Sequence, residues 1–192
     1  KPASRQKKVL VVGAGPAGME AARVACLRGH KVILCEKSDK MGGQLNYAAA
    51  PSHKKEFLVI VHFLETQLRK SDVDIRLGTA VTAEMVKKIM PDAVIIATGA
   101  EPADPFTPGA DKSHVYTAID VLAGNVSLKG ATALIGAGLV GLETALFLEE
   151  KQVLPLVMIE PTDKLGGNVG LRTGLFARNS VTGSHNIEVK LK

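Results

Sequence analysis

Two glycine-rich stretches hold the residues whose spacing could do chemistry. The first reads Val9-Leu-Val-Val-Gly13-Ala-Gly15-Pro-Ala-Gly18-Met-Glu20, and the second Ala133-Leu-Ile-Gly136-Ala-Gly138-Leu-Val-Gly141-Leu-Glu143. In each, a short apolar run meets three glycines spaced as GxGxxG. The first glycine permits a tight turn, the second removes the Cβ that would block an approaching ligand, and the third allows a helix to pack closely on the strand. A strand feeding directly into a helix also presents unpaired first-turn N–H groups and the positive end of the helix dipole, which together suit a phosphate dianion. That chemistry is the binding of a dinucleotide pyrophosphate.

A lone GxGxxG is weak evidence, so its context matters. Each triplet is followed by a helical stretch, a second apolar run and an acid, Glu36 in the first copy and Glu160 in the second. A Gly pair comes next in both, Gly42-Gly43 and Gly166-Gly167. The triplets lie 123 residues apart and the Gly pairs 124, as one inserted residue before Glu160 explains. The chain is therefore an internal repeat of one βαβ unit. The alternatives are a ligand-free glycine turn and a merely exposed strand-end acid; two copies in register, each with the same context, favour the ligand-binding reading over both. The acids are placed to accept the ribose hydroxyls of an adenosine. At Glu160 a 2′-phosphate would meet a carboxylate, and two like charges about 4 Å apart cost up to about 4 kcal/mol at an intermediate dielectric. NAD(H) is thus expected there in preference to NADP(H).

The elements that must position these residues follow from periodicity. Val9–Val12 and Ala93–Ala97 read as buried strands, and Lys31–Cys35 and Val73–Leu77 as further strands. Pro16–Arg28 reads as a helix ended by Gly29, with Met19, Ala22, Val24 and Ala25 toward a sheet. Ser52 is placed to cap a helix from His53 to about Lys70, with Phe57, Val61, Leu64 and Leu68 on one face. The second copy predicts strand, helix and strand near 131–135, 139–151 and 153–159, then a helix at Arg172–Asn179 and a strand at Ile187–Leu191. Alternating strands and helices imply α/β architecture with parallel sheets. Ala97-Thr98-Gly99 follows a buried strand, and its role on spacing alone is either a ligand approach or a plain turn.

Composition narrows the classes. The 192 residues carry a net charge of +5 with 46% hydrophobic residues and 19 Gly. A basic balance fits an anionic ligand, but the basic residues are scattered, and five Phe and two Tyr offer no base-stacking platform, so nucleic acid is not the expected partner. Cys26 and Cys35 are not spaced as CxxC and read as small buried hydrophobes, consistent with a reducing, cytoplasmic setting. No apolar run is long enough for a membrane span. His30, His53, His62, His114 and His185 show no metal-ligand spacing, and His62 reads as a satisfied, partly buried histidine. No metal site and no catalytic side chain are expected. Lys1–Lys8 reads as a solvated linker without a secretory signal, and the missing initiator Met points to a piece of a longer protein.

These residues together resemble the flavin- and NAD-binding portion of two-dinucleotide-fold flavoproteins, the wider pyridine nucleotide–disulfide oxidoreductase group. The resemblance is strongest to the C-terminal part of the 2,4-dienoyl-CoA reductase, enoate reductase and trimethylamine dehydrogenase family, the NADH:flavin oxidoreductases of the old yellow enzyme group. It is carried by residues 11–25 and 36–45, by Ala48-Ala-Ala-Pro-Ser-His-Lys-Lys-Glu-Phe57, and by Pro91-Asp-Ala-Val-Ile-Ile-Ala-Thr-Gly-Ala-Glu-Pro102. The resemblance implies an α/β fold of two Rossmann-like three-layer units with central parallel sheets, the second inserted into the first with crossings near 100–130. It implies a linker at 1–8, an FAD domain at 9–128 and an NAD(H) domain at 129–192, both incomplete.

By resemblance, Gly13, Gly15, Ala17, Gly18, Glu36, Lys37, Gly43, Gln44 and Leu45 line FAD, with Val81 near its adenine and Ala97, Thr98 and Gly99 beside the flavin and pyrophosphate. Gly136, Gly138, Leu139, Val140, Gly141 and Glu160 hold NAD(H). One branch of the family holds only ADP at the first site, so ADP or AMP in a structural role stands as the alternative to FAD. FMN and a four-iron cluster belong to parts outside this chain, and the implied partners are the FMN-binding barrel and iron–sulfur segment of the same parent protein. A homo-oligomer is allowed, though no residue pattern dictates one. The chain departs from the family in lacking a CxxC, and in lacking after Lys192 the strand that completes the FAD domain. Residues 178–192 also fit the family pattern less well.

Overall fold

Each glycine triplet joins a strand to a helix. In the computed structural model, which describes residues 1–103, 107–167 and 169–192, β1 (Lys8–Val12) leads through Gly13–Gly15 into α1 (Pro16–Leu27). β2 (Lys31–Cys35) returns parallel to it, pairing Val12 with Cys35. β3 (Asp74–Arg76) and β4 (Ala93–Ile96) complete a parallel sheet in the order β3-β2-β1-β4. Register brings Cys35 opposite Arg76 and Val12 opposite Ile96, so Gly13, Glu36, Leu77 and Ala97 leave the sheet at one end. Ligands of open parallel sheets collect at that end.

The core of this unit forms where α1 and α3 (Phe57–Arg69) cover the sheet. Met19, Ala22 and Ala25 of α1 are buried against Val9, Val11, Val32 and Leu34, and Val61, Leu64 and Leu68 of α3 join them. The small residues of α1 allow its axis to come close to the strands. Val24, read as core-facing, is exposed, because it lies off the stripe defined by Met19, Ala22 and Ala25. His62 also points to solvent rather than being partly buried, since it falls on the opposite side of α3 from Val61 and Leu64.

The sequence reading of α3 fails at its start. Ser52–Lys54 forms a single 3-10 turn, α3 begins at Phe57, and Ser52 caps no helix. Instead the Ser52 N–H donates to the Glu150 carboxylate at 3.1 Å, and Lys54 pairs with Glu143. A tertiary demand outweighs the local capping signal. β4 is the second correction. Its apolar run reads as fully buried, yet Ile96 is 77% exposed and Val94 and Ile95 are more than a third exposed. Among the described residues β1 is its one sheet neighbour, so the strand is an edge, covered only in part. Three short helices escaped the periodicity reading: α2 (Leu45–Ala48), α4 (Ala83–Ile89) and α5 (Ala118–Leu122).

The second unit repeats the plan. β5 (Thr132–Ile135), α6 (Leu139–Glu150), β6 (Leu156–Glu160), α7 (Leu171–Thr182) and β7 (Ile187–Leu191) form a three-stranded parallel sheet in the order β5-β6-β7 with its helices. Leu142, Ala145 and Leu148 of α6 pack with Leu156, Met158, Ala177, Val181 and Ile187. The buried Thr144 hydroxyl is satisfied by donating to the Val140 carbonyl at 2.7 Å.

By contacts the chain divides into Lys1–Ala49 with Lys55–Pro102, and Ala50–Lys54 with Ala103–Lys192. The division falls earlier than residue 128, because α5 packs on α6. The crossing expected within 100–130 includes residues 104–106, which lie outside the described residues. The amino-terminal stretch is exposed but held: the Ala3 N–H donates to the Arg28 carbonyl, and the Gln6 amide to that of Gly29. Cys26 and Cys35 are free thiols, Cys35 buried and Cys26 half-buried.

The burial contrast between two apolar strand residues is testable. Leu34→Ala, in the closed core, is expected to cost about 2–5 kcal/mol. Ile96→Ala, at the exposed end of β4, is expected to stay within about 0.5 kcal/mol. Urea unfolding of both variants reads the difference.

Candidate functional site

The two turns are built alike. Gly13 has φ +101 and Gly136 φ +95, a left-handed conformation that other residues adopt only under strain. The N–H of each donates at 2.8 Å to the carbonyl that ends the neighbouring strand, Cys35 for Gly13 and Ile159 for Gly136. A Cβ on Gly18 would stand 1.8 Å from the Gly13 carbonyl oxygen, and one on Gly141 2.0 Å from that of Gly136. No side chain fits at either place, so helix and turn sit in direct backbone contact. Gly15 has open space where a Cβ would project.

The helices start on glycine N-caps, Gly15 and Gly138, with φ −69 at both. No side chain caps either helix, and neither has an acid in its first turn. The first-turn N–H groups of Ala17 and Gly18, and of Leu139, Val140 and Gly141, therefore remain for an outside acceptor. Pro16 offers none.

The acids close the two rims. Glu36 accepts from the Ala14 N–H at 2.7 Å through one oxygen, and through the other from the Ser38 N–H and hydroxyl, each at 3.0 Å. Glu160 accepts from the Ala137 N–H at 2.7 Å, and through its other oxygen from the Thr162 N–H at 3.1 Å and hydroxyl at 2.8 Å. Burial alone would raise the Glu36 pKa, but the Ala14 and Ser38 donors outweigh it and hold the carboxyl below its ordinary 4.5. Glu160 is likewise held below 4.5, chiefly by the Ala137 N–H and then by the Thr162 hydroxyl. Both are carboxylates at neutral pH.

The first cleft, about 280 Å³, is lined by Val12, Gly13, Cys35, Glu36, Lys37, Thr79, Ala80, Val81, Thr98, Gly99 and Glu101. It gathers Gly13, Glu36, Lys37, Val81, Thr98 and Gly99 from the residues expected. Ala97 backs the turn, since its carbonyl oxygen lies 2.3 Å from where a Gly13 Cβ would be. Gly43 packs on Gly15, and Gln44 donates to the Ala100 carbonyl at 2.7 Å. Leu45 turns inward against the core instead of lining the cleft.

The second cleft, about 380 Å³, is lined by Ala137, Gly138, Glu160, Thr162, Asp163, Lys164 and Gly167. Gly136, Leu139, Val140 and Gly141 shape the turn behind it rather than its wall. Sequence reasoning missed Thr79, Ala80 and Glu101 in the first unit, and Thr162, Asp163 and Lys164 in the second. The one available signal was the hydroxyl residue two positions past each acid. Among the described residues no group of three or more His, Cys, Asp or Glu could hold a metal.

This paired geometry coincides with a family pattern. The family model for pyridine nucleotide-disulphide oxidoreductases matches residues 7–192. The chain belongs to that family. Membership implies binding of FAD and NAD(P)H. Among curated relatives, the NADH oxidase of Thermoanaerobacter brockii is 47% identical over 155 residues, covering 79% of this chain and 24% of that protein. The bilirubin reductase of Mediterraneibacter gnavus is 43% identical, covering 85% of this chain and 26% of that protein. A solved 2-naphthoyl-CoA reductase superposes with a TM-score of 0.92 at 32% identity, covering 100% of this chain and 29% of its own. The chain thus spans about a quarter of the length of its relatives. These relatives agree with the family that the sequence resembles, the NADH:flavin oxidoreductases of the old yellow enzyme group. No helix among the described residues is long and apolar enough to cross a membrane.

The depressed acids fix a sign for pH dependence. A carboxyl whose pKa is lower in the folded than in the unfolded chain contributes stability above about pH 4.5, and that contribution is lost as the pH falls through the folded value. Glu36→Gln and Glu160→Gln are therefore expected to be less stable than the parent at pH 7 and to converge on it as the pH falls below 4.5 through the folded-state value, as urea midpoints against pH would read.

Proposed function

We propose that this chain is the nucleotide-binding, electron-transfer portion of a larger flavin-dependent NADH oxidoreductase. The ADP half of FAD lies in the first cleft and NAD(H) in the second, and reducing equivalents pass from NADH through FAD to a partner domain. One observation supports this above the rest. Two units of one chain carry the same glycine turn, the same uncapped helix start and the same acid held by equivalent donors. A single-site dehydrogenase has no use for the second.

The residues fit the groups assigned to them. The helix starts at Gly15 and Gly138 neutralise a diphosphate with N–H donors and dipole. Glu36 and Glu160 accept from ribose hydroxyls, Lys37 adds a positive charge beside the first acid, and Val81 gives an apolar wall to an adenine. Thr98, Gly99 and Gln44 stand at the flavin side of the first cleft. When bound, FAD supplies a ring that accepts hydride from reduced nicotinamide and passes electrons onward. The protein has to bind, align and shield the two cofactors, so no side-chain acid or nucleophile is assigned. The acceptors in this reading are the FMN-binding barrel and iron–sulfur segment of the same parent protein.

A second reading has ADP or AMP alone in the first cleft, with a structural role. What supports it is that the first cleft is walled around Glu36, the acid assigned to an adenosine ribose.

Identifying what the purified protein carries separates the two. A visible spectrum is recorded, the protein is denatured, and the supernatant is run on a nucleotide-resolving column. FAD near unit ratio, bleached by NADH faster than by NADPH, is the expected outcome. ADP or AMP without flavin absorbance establishes the second reading, and no nucleotide, even after incubation with FAD, overturns both.

A further inference from the structure

We propose that the Thr162 hydroxyl is the positioning group that holds Glu160 at the ribose edge of the second cleft and so sets its choice of NAD(H) over NADP(H). This rests on the reading of that cleft as a nicotinamide-dinucleotide site.

Glu160 is half-exposed at the end of β6, and a glutamate there has freedom to swing into solvent. Three donors oppose this. Two are backbone N–H groups, Ala137 at 2.7 Å and Thr162 at 3.1 Å, which any sequence would supply once the turn has formed. The third, the Thr162 hydroxyl at 2.8 Å, depends on residue type. It shares its oxygen atom of Glu160 with the Thr162 N–H, so the two grip that oxygen together. The hydroxyl has a single proton, and its other neighbouring acceptor, the Lys164 carbonyl oxygen, is farther at 3.3 Å, so the nearer, charged carboxylate is the favoured acceptor.

The first unit carries an independent copy. The Ser38 hydroxyl sits 3.0 Å from Glu36 and 2.9 Å from the Lys40 carbonyl oxygen, the corresponding atoms one repeat earlier. Between the copies the intervening residue changes from Lys37 to Pro161, and the hydroxyl residue itself from Ser to Thr. What both keep is a hydroxyl two residues past the acid. Geometry therefore selects the hydroxyl rather than the rest of the side chain.

Selectivity follows from electrostatics. A 2′-phosphate brings negative charge to a place where Glu160 is already ionised. The inexpensive relief is for the carboxylate to rotate away, leaving Lys164 of the same cleft to face the phosphate. While the hydroxyl grips the carboxylate, that rotation costs a hydrogen bond to a charged group. Without it, NADPH is admitted more readily and NADH loses a pre-aligned acceptor.

The test measures NADH and NADPH affinities by titration calorimetry on the full chain. Thr162→Val keeps the shape and removes the hydroxyl. It is expected to cut the NADH-to-NADPH affinity ratio by about 10-fold. Thr162→Ser is expected to restore the parental ratio, which a purely steric role for the threonine methyl would not do. Glu160→Ala should bring the ratio close to unity, and adding Thr162→Val to it should change nothing further. Thr162→Ala gives the same reading as Thr162→Val should the valine protein not fold. If Glu160→Ala removes the preference but Thr162→Val retains it, this proposal fails while the site assignment stands. If the parent shows no preference, or Glu160→Ala keeps it, the site assignment fails and takes the proposal with it.

Discussion

The structure depends on one steric constraint: a helix must begin so close to the strand before it that no side chain fits between them. At Gly18 and Gly141 the distance from an imagined Cβ to the turn carbonyl is 1.8 and 2.0 Å, well inside any permissible contact. That contact brings the helix start over the sheet end and fixes the direction of its dipole. The positive φ of Gly13 and Gly136 makes the turn sharp enough to reach it. Everything chemical in the two clefts is arranged around this helix start.

Parallel pairing supplies the rest of the geometry. Register aligns the carboxyl ends of β1, β2, β3 and β4, so four separate connections converge on one rim. The loop after β2 is then pinned from two sides. The Gly42 N–H donates to the Ala14 carbonyl, and the Gly78 N–H to that of Ser38. Short exits leave little freedom there, and residues such as Thr79 and Val81 become walls because strand pairing places them, whatever their type. In the second unit Arg178 of α7 does comparable work, donating to the Gly166 carbonyl at 3.0 Å and bracing the Gly pair below the cleft.

Much of this was legible in the residue order because it rests on local demands. Glycine at fixed spacing, apolar runs of strand length and an acid at the next strand end are all short-range signals, and β1, α1, β2, β5, α6, β6 and β7 follow from them. The failures have a common cause. Ser52 looked like a helix cap, yet its N–H and the neighbouring Lys54 serve carboxylates of α6 nearly a hundred residues away. Ala93–Ile96 looked like an interior strand because composition cannot say how many neighbours a strand has. The cleft walls at Thr79–Ala80 and Asp163–Lys164 were invisible because loops take their place from the strands they join. α4 and α5 were legible in principle: Thr82 and Thr117 cap them by accepting from Met85 and Asp120 N–H groups. Their brevity hid them from a search based on periodicity.

The three donors that each acid already holds have a bearing on cofactor traffic. With three of about four lone-pair sites engaged by the protein's own N–H and O–H groups, neither carboxylate is an unpartnered charge. Among the described residues no buried side-chain nitrogen or oxygen lacks a partner. A carboxylate can accept about four hydrogen bonds, so each acid keeps room for one more donor while its internal donors stay in place. The internal contacts set the position of the oxygens beforehand, and a further hydroxyl adds a bond without dismantling one.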